Sequence, residues 1–202
     1  MEVYVDQATI ATRVASGWAK AAAILGIAGM QYRPTNALAP MAAVYGRPMM
    51  VFDAGPAFSL ARPQNWGVPT EYVLLNTTDV STGDILVCGS GTYFVARYEA
   101  MRPPLCVLCT RTVSVSGVTG TTTTVLSDCP AAILLKSHGD RDDSGMPGST
   151  RPGQFVLYLP SLPGVTIVPY MTVVDDLGNS YSVASAEATS FGFRCMITNQ
   201  QV

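Results

Sequence analysis

Apolar residues recur at helical spacing at the start of the chain and change to strand-like alternation further on. Ile10, Val14, Gly17, Trp18, Ala21, Ala22 and Leu25 fall on one helical face, which predicts a helix from Asp6 to about Leu25. Asp6 or Thr9 suits its start and Gly26 its end. The stripe is rich in small residues around Trp18, so the helix is built to lie close to a sheet or to an adjacent subunit.

From residue 30 to 70 neither period holds. Prolines stand at positions 34, 40, 48, 56, 63 and 69, and each pushes the residue before it toward extended geometry. Large apolar side chains nevertheless run through the segment, including Tyr32, Tyr45, Met49, Phe52, Phe58 and Trp66, whereas disordered linkers are charged and poor in aromatics. An extended apolar arm draped over its own core or a neighbour fits both facts. Pro48–Asp53 is a candidate short strand within it.

Beyond residue 70 the chain reads as β. Strands are expected at Glu71–Leu75, Gly83–Val87, Thr92–Ala96, Leu105–Val115, Thr121–Leu126 and Ala131–Leu135. After a polar loop over 136–153, further strands are expected at Gln154–Leu159, Val165–Val168, Met171–Val174, Ser180–Ser185 and Phe191–Thr198. One internal echo stands out. Val87 and Val174 each end a strand before a Gly-bearing turn. The return strands then read Thr92-Tyr93-Phe94-Val95-Ala96 and Ser180-Tyr181-Ser182-Val183-Ala184, with the tyrosines 88 residues apart. Such an echo means either two related β modules or two hairpins in one barrel. The expected fold is mostly β: small β-barrel or sandwich modules with an N-terminal α-helix and a long extended Pro-rich arm. The units are residues 1–29 (helix), 30–70 (arm) and 71–202 (β domain, with a mobile loop at 136–153).

Composition sharpens this picture. Charged residues make up only 13% of the chain and hydrophobic ones 48%, against about 25% charged in an ordinary soluble domain. Surfaces that meet other subunits are depleted in charge in this way. The net charge is −2, and Lys20 and Lys136 are the only lysines, which argues against a phosphate-tracking groove and hence against nucleic acid as partner. The longest apolar run, Ala21 to Met30, is too short to span a membrane, and the acidic opening does not read as a secretory signal.

Candidate chemistry is sparse. Cys106 and Cys109 form a CxxC in a stretch that reads as strand, where residues three apart face opposite sides, and no second pair completes a zinc site. Five cysteines is an odd number, at odds with a secreted disulfide framework. The lone histidine, His138, lies in the polar loop, a poor place to hold a catalytic base. Asp140 to Gly145 resembles the start of a calcium loop, but its twelfth position is Arg151 rather than a bidentate Glu. The expectation is therefore no catalytic residue, no cofactor and no metal.

Several stretches resemble a group of tailed-bacteriophage virion proteins. They are Trp18-Ala19-Lys20-Ala21-Ala22-Ala23-Ile24-Leu25-Gly26, Tyr32-Arg33-Pro34-Thr35, Gly83 to Val87 with Thr92 to Ala96, Leu159 to Val165, and Asp175 to Tyr181. The resemblance implies a structural subunit of the neck that joins head to tail, a connector-, collar- or stopper-like ring. It would be made in the host cytoplasm and reside in the virion. Its implied partners are further copies of itself and portal, connector or tail-tube subunits. The interface candidates are Trp18, Tyr32, Tyr45, Met49, Phe52, Phe58 and Trp66. Two rival readings stand beside it: another tail position (tail completion, baseplate or fibre attachment), and a free β-sandwich binding module presenting Trp66 and Tyr72.

Overall fold

A computed structural model describes residues 6–52, 70–119, 121–135 and 154–200. The chain is mostly β with one N-terminal helix, and its strands form an open eight-stranded sheet followed by a closed six-stranded barrel.

Helix α1 spans Gln7–Leu25 and packs against strands β4 (Met49–Phe52) and β5 (Thr70–Leu75) of the sheet. Only Ala22 is fully buried; Val14, Trp18 and Ala21 are half-buried, while Ile10 and Leu25 at the two ends of the expected stripe are exposed. Gly26 ends the helix, but not by adopting the left-handed conformation expected of a terminal glycine, for its φ is −81°. Its small size is what matters: a Cβ there would lie 2.3 Å from the Ala22 carbonyl and 3.0 Å from the Met50 amide.

The sheet runs β1 (Ile27–Ala28), β4 (Met49–Phe52), β5 (Thr70–Leu75), β8 (Leu105–Leu108), β7 (Gly91–Arg97), β6 (Ile85–Cys88), β2 (Met30–Tyr32), β3 (Val44–Gly46). Residues 30–52 of the expected arm thus contribute β2, β3 and β4. Their apolar side chains find sheet partners: Met50 is buried, and Phe52 stacks on Tyr93 with ring centroids 3.8 Å apart. Pro34, Pro40 and Pro48 are buried between strands rather than within them, where their missing N–H removes no ladder bond. The rest of the arm, 53–69, lies outside the described residues.

The barrel runs β10 (Thr121–Leu135), β11 (Gln154–Leu159), β14 (Gly192–Asn199), β13 (Ser180–Thr189), β12 (Thr172–Asp175), β9 (Arg111–Thr119) and back to β10. Three expectations need correction. Leu105–Val115 is not one strand. The chain changes sheets at Cys109–Thr110: the Cys109 N–H donates to Thr92 O in the sheet, and the Thr110 N–H to Ala131 O in the barrel. Conversely, Thr121–Leu126 and Ala131–Leu135 belong to one strand, β10. Register shifts near Leu126 and a left-handed Asp128 (φ 49°) carry it past Pro130. Val165–Val168 makes no ladder; Ile167 enters the barrel core from a loop that turns at Pro169.

Two cores result. The barrel encloses one large cluster that includes Val115, Leu126, Leu157, Val173 and Ile197. The sheet wraps a smaller one around Met50, Val73, Leu86, Val95 and Cys106. A third cluster, built on Ile85, Phe94, Ala96, Val107 and Ala132, joins sheet to barrel. The two echoing hairpins are β6–β7 and β12–β13, one in each body.

Candidate assembly surfaces

The first surface is the free edge strand β3. Arg33, just past β2, reaches Asp84 through Nε (3.0 Å to Oδ1) and Nη2 (2.9 Å to Oδ2), and Asp79 Oδ1 through Nη1 (2.9 Å). The Asp84 carboxylate is buried and also accepts from Gln31 Nε2 (2.8 Å) and the Ser81 N–H (2.9 Å). Among the described residues, no buried side-chain polar atom lacks a partner. Tyr45, on β3, lies under the Arg33 guanidinium, 3.9 Å from ring centroid to Cζ, and donates its hydroxyl to Asp79 Oδ2 at 2.5 Å. That hydrogen bond, and then Arg33, hold the Asp79 carboxyl below its usual range. The same hydrogen bond pushes the Tyr45 phenol above its own range, against the opposing pull of the Arg33 charge. An exposed aromatic ring is thereby locked beside an open strand edge together with exposed Val44. Rigid Tyr and Arg side chains are the typical anchors of protein interfaces, and an unpaired edge offers backbone groups for pairing with another chain.

The second surface lies where α1 ends and β1 begins. Ile24 is 81% exposed and Leu25 72%, with Ile27 exposed beside them. Next to them runs a groove of about 280 Å³ lined by Ala28, Gly29, Met30, Arg47, Val87 and Gly89.

The third belongs to the barrel. Tyr170 is 88% exposed and adopts φ 71°, a left-handed conformation that favours glycine. Its N–H donates to Val183 O at 2.8 Å, so the strained backbone is pinned. The β12–β13 turn presents Leu177 at its tip. That turn is organised by Asp175, whose carboxylate accepts from the Leu177 N–H (3.0 Å), the Asn179 N–H (2.8 Å), Asn179 Nδ2 (2.9 Å) and the Tyr181 hydroxyl (3.2 Å). Burial pushes the Asp175 carboxyl up, but these hydrogen bonds, led by the Asn179 side chain, outweigh it and leave it below the usual range.

Of the interface candidates named from sequence, Tyr45 sits on an open edge and is exposed. Trp18, Tyr32, Met49 and Phe52 are half-buried; Tyr32 packs against the cluster joining sheet to barrel, and Phe52 against the sheet core. Phe58 and Trp66 lie outside the described residues, as do His138 and the calcium-like run from Asp140. Tyr72 is exposed on β5. Sequence reasoning missed Ile24, Ile27, Tyr170 and Leu177. Pro169 before Tyr170 marked a turn, but nothing in the sequence marked a left-handed tyrosine.

Cys106 enters the sheet core while Cys109 packs on the joining cluster, so the two side chains of the CxxC diverge. All five cysteines are free thiols. Burial pushes the thiols up, to about 12 at Cys129 and about 11 at Cys195. Among the described residues, no group of three or more His, Cys, Asp or Glu side chains is placed to hold a metal, and no helix is long and apolar enough to cross a membrane. No family model, no curated protein and no solved structure matches the chain.

Proposed function

We propose that the protein is a non-enzymatic structural subunit of a tailed-phage virion. In this reading it forms a ring in the neck between portal and tail and touches copies of itself and neighbouring connector or tail-tube subunits. The observation that carries the reading is the amount of large apolar side chain left in water by folding: Tyr170, Ile24, Leu25, Ile27 and Leu177, in a chain with so little charge. Apolar surface of this kind, with an open strand edge at β3, suits burial against other subunits. The phage assignment rests on the sequence resemblance described above. The dispersal of the exposed residues over α1, the sheet edge and the barrel favours several subunit contacts over the single patch of a free binding module.

The test is antibody labelling of purified phage particles viewed by electron microscopy. The neck reading predicts label at the head–tail junction. Label confined to the distal tail would move the subunit to another tail position, and its absence from virions would overturn the reading.

A further inference from the structure

We infer that the chain carries one six-stranded barrel twice, and that the outward face of the barrel's second and third strands is a docking surface. On the second barrel that surface is filled by the first barrel; on the first it is filled by α1. This inference is independent of what the assembled protein does.

The open sheet is itself a barrel whose closing strand is broken. β1 and β2 are one segment, residues 27–32, interrupted only by Gly29, yet β1 pairs with β4 and β2 with β6. A Cβ on Gly29 would meet the Val87 carbonyl at 2.6 Å and Met50 Sδ at 2.8 Å, so the two sides of the sheet meet at this residue. β3 leads into β4 and pairs with β2 much as β4 pairs with β1, so 44–52 runs alongside 27–32 as the second strand. With 27–32 and 44–52 each taken as a single strand, the order is 27–32, 44–52, β5, β8, β7, β6 and back. The second barrel's order is β9, β10, β11, β14, β13, β12 and back. In chain order both are first, second, third, sixth, fifth, fourth.

The register agrees around the whole ring. Ile27 pairs with Met50 as Arg111 pairs with Ala131. Val51 faces Leu74 as Ala132 faces Tyr158. Glu71 faces Cys106 as Phe155 faces Ile197. Cys106 faces Val95 as Ile197 faces Val183, and in both barrels a register shift follows that valine. Tyr93 faces Leu86 as Tyr181 faces Val173, which is the echo seen in the sequence. Leu86 faces Gln31 as Val173 faces Val115, and the ring closes on the same equivalence with which it began. Even the turn entering the fourth strand repeats. Asp84 N–H donates to Ser81 O, and Met171 N–H to Val168 O. The third residue of each turn is left-handed, Gly83 in one and Tyr170 in the other, and donates to the equivalent valine, Val95 or Val183.

Equivalent positions then show how the faces are used. On the second barrel the outward pair of the second and third strands is Ala132 and Tyr158. It packs on the first barrel's row Ile85, Phe94 and Val107. On the first barrel the same pair is Val51 and Leu74, half-buried on the strands that α1 covers. The small residues of α1 fit that role, with Ala22 fully buried. The second barrel's counterpart of the apolar row is Thr172, Ser182 and Thr198. Hydroxyls replace Ile, Phe and Val there, so this face is not written to take a third barrel. α1 at one end and the hydroxyl row at the other terminate the array, as capping elements do in repeat proteins.

The test writes the apolar row onto the second barrel of the full chain: Thr172→Ile, Ser182→Phe and Thr198→Val, with and without Ala22→Asp to release α1. With all four changes, light scattering should show mass growing with concentration by whole chains, head to tail. With the three row changes alone, or with Ala22→Asp alone, the mass should match that of the parent. Adding Leu74→Asp should abolish the growth. Unchanged mass in the four-change protein with intact far-UV circular dichroism would overturn the inference, as would growth that survives Leu74→Asp or appears with α1 in place. Hydrogen exchange on the single variant Leu74→Asp gives a second test, independent of the folding of the multiple variants. Amides of α1 should lose at least tenfold protection while barrel-two amides keep theirs, and unchanged protection of α1 would contradict its place on this face.

Discussion

The two barrels share strand order and register but fill their centres differently. Where the second places Val115 and Met171, the first places Gln31 and Asp84, both buried, with Gln31 donating to Asp84 and Asp84 paired to Arg33. Where the second has the buried Val113 in an unbroken β9, the first has Gly29, at which its closing strand breaks. The second barrel centres on one large apolar cluster, and its buried carboxylate, Asp175, sits at the β12–β13 turn rather than in the middle. The first has a smaller apolar core and a saturated polar network that ties strand β2, the turn before β6 and the edge strand β3 together. One topology thus tolerates either solution. The polar one must be complete, because a buried carboxylate stripped of one partner carries its full desolvation cost. In return, the polar network positions Tyr45 at an open edge, which an apolar core does not do.

The largest effect expected from this contrast comes at Arg33. Arg33→Ala leaves Asp84 buried without its cation and should destabilise the first barrel by about 3 kcal/mol, read from denaturant melts. Replacing its two buried members by their counterparts from the second barrel, Gln31→Val and Asp84→Met, together with Arg33→Ala, should recover most of that loss. Failure to recover would mean that the two centres are not interchangeable. Gly29→Ala comes next: its Cβ would strike the Val87 carbonyl, so a loss of about 1–3 kcal/mol is expected, confined to the first barrel in hydrogen exchange.

The Asp175 turn in the second barrel gives a smaller, pH-dependent effect. A carboxyl held below its unfolded value adds stability that is present above the unfolded value of about 4 and is lost as the pH falls through the folded one. The melting temperature should therefore fall on acidification below about pH 4. Asp175→Asn should flatten the part of that fall that belongs to the second barrel, and an unchanged slope would contradict the assignment. The smallest change is a gain. Tyr170→Gly removes a left-handed side-chain strain of about 1 kcal/mol and should raise the melting temperature while weakening self-association. A variant that gains stability and assembles as well as the parent would remove Tyr170 from the contact surface.

Much of this arrangement was legible in the sequence where periodicity was strong. The helix, the β6–β7 hairpin with its Gly89-Ser90 turn and the paired tyrosines 93 and 181 all announced themselves locally. The segment over 30–52 did not, because β2 to β4 are short strands separated by prolines and find their partners far along the chain. The junction at Cys109–Thr110 was hidden for the opposite reason: an unbroken run of strand-forming residues conceals a change of sheet that only tertiary hydrogen bonds reveal. Arg33, Asp79 and Asp84 read as isolated charges until the fold brought them together. The repeat itself was nearly invisible, since barrel equivalence is kept in register and turn geometry while side chains diverge as far as Asp84 and Met171.

If these exposed surfaces are subunit contacts, light scattering of the purified chain over a dilution series reveals the assembly. A defined multimer, or a monomer that joins a ring when portal or tail-tube subunits are added, is the predicted result. A monomer at every concentration that stays monomeric with each of those partners would contradict it.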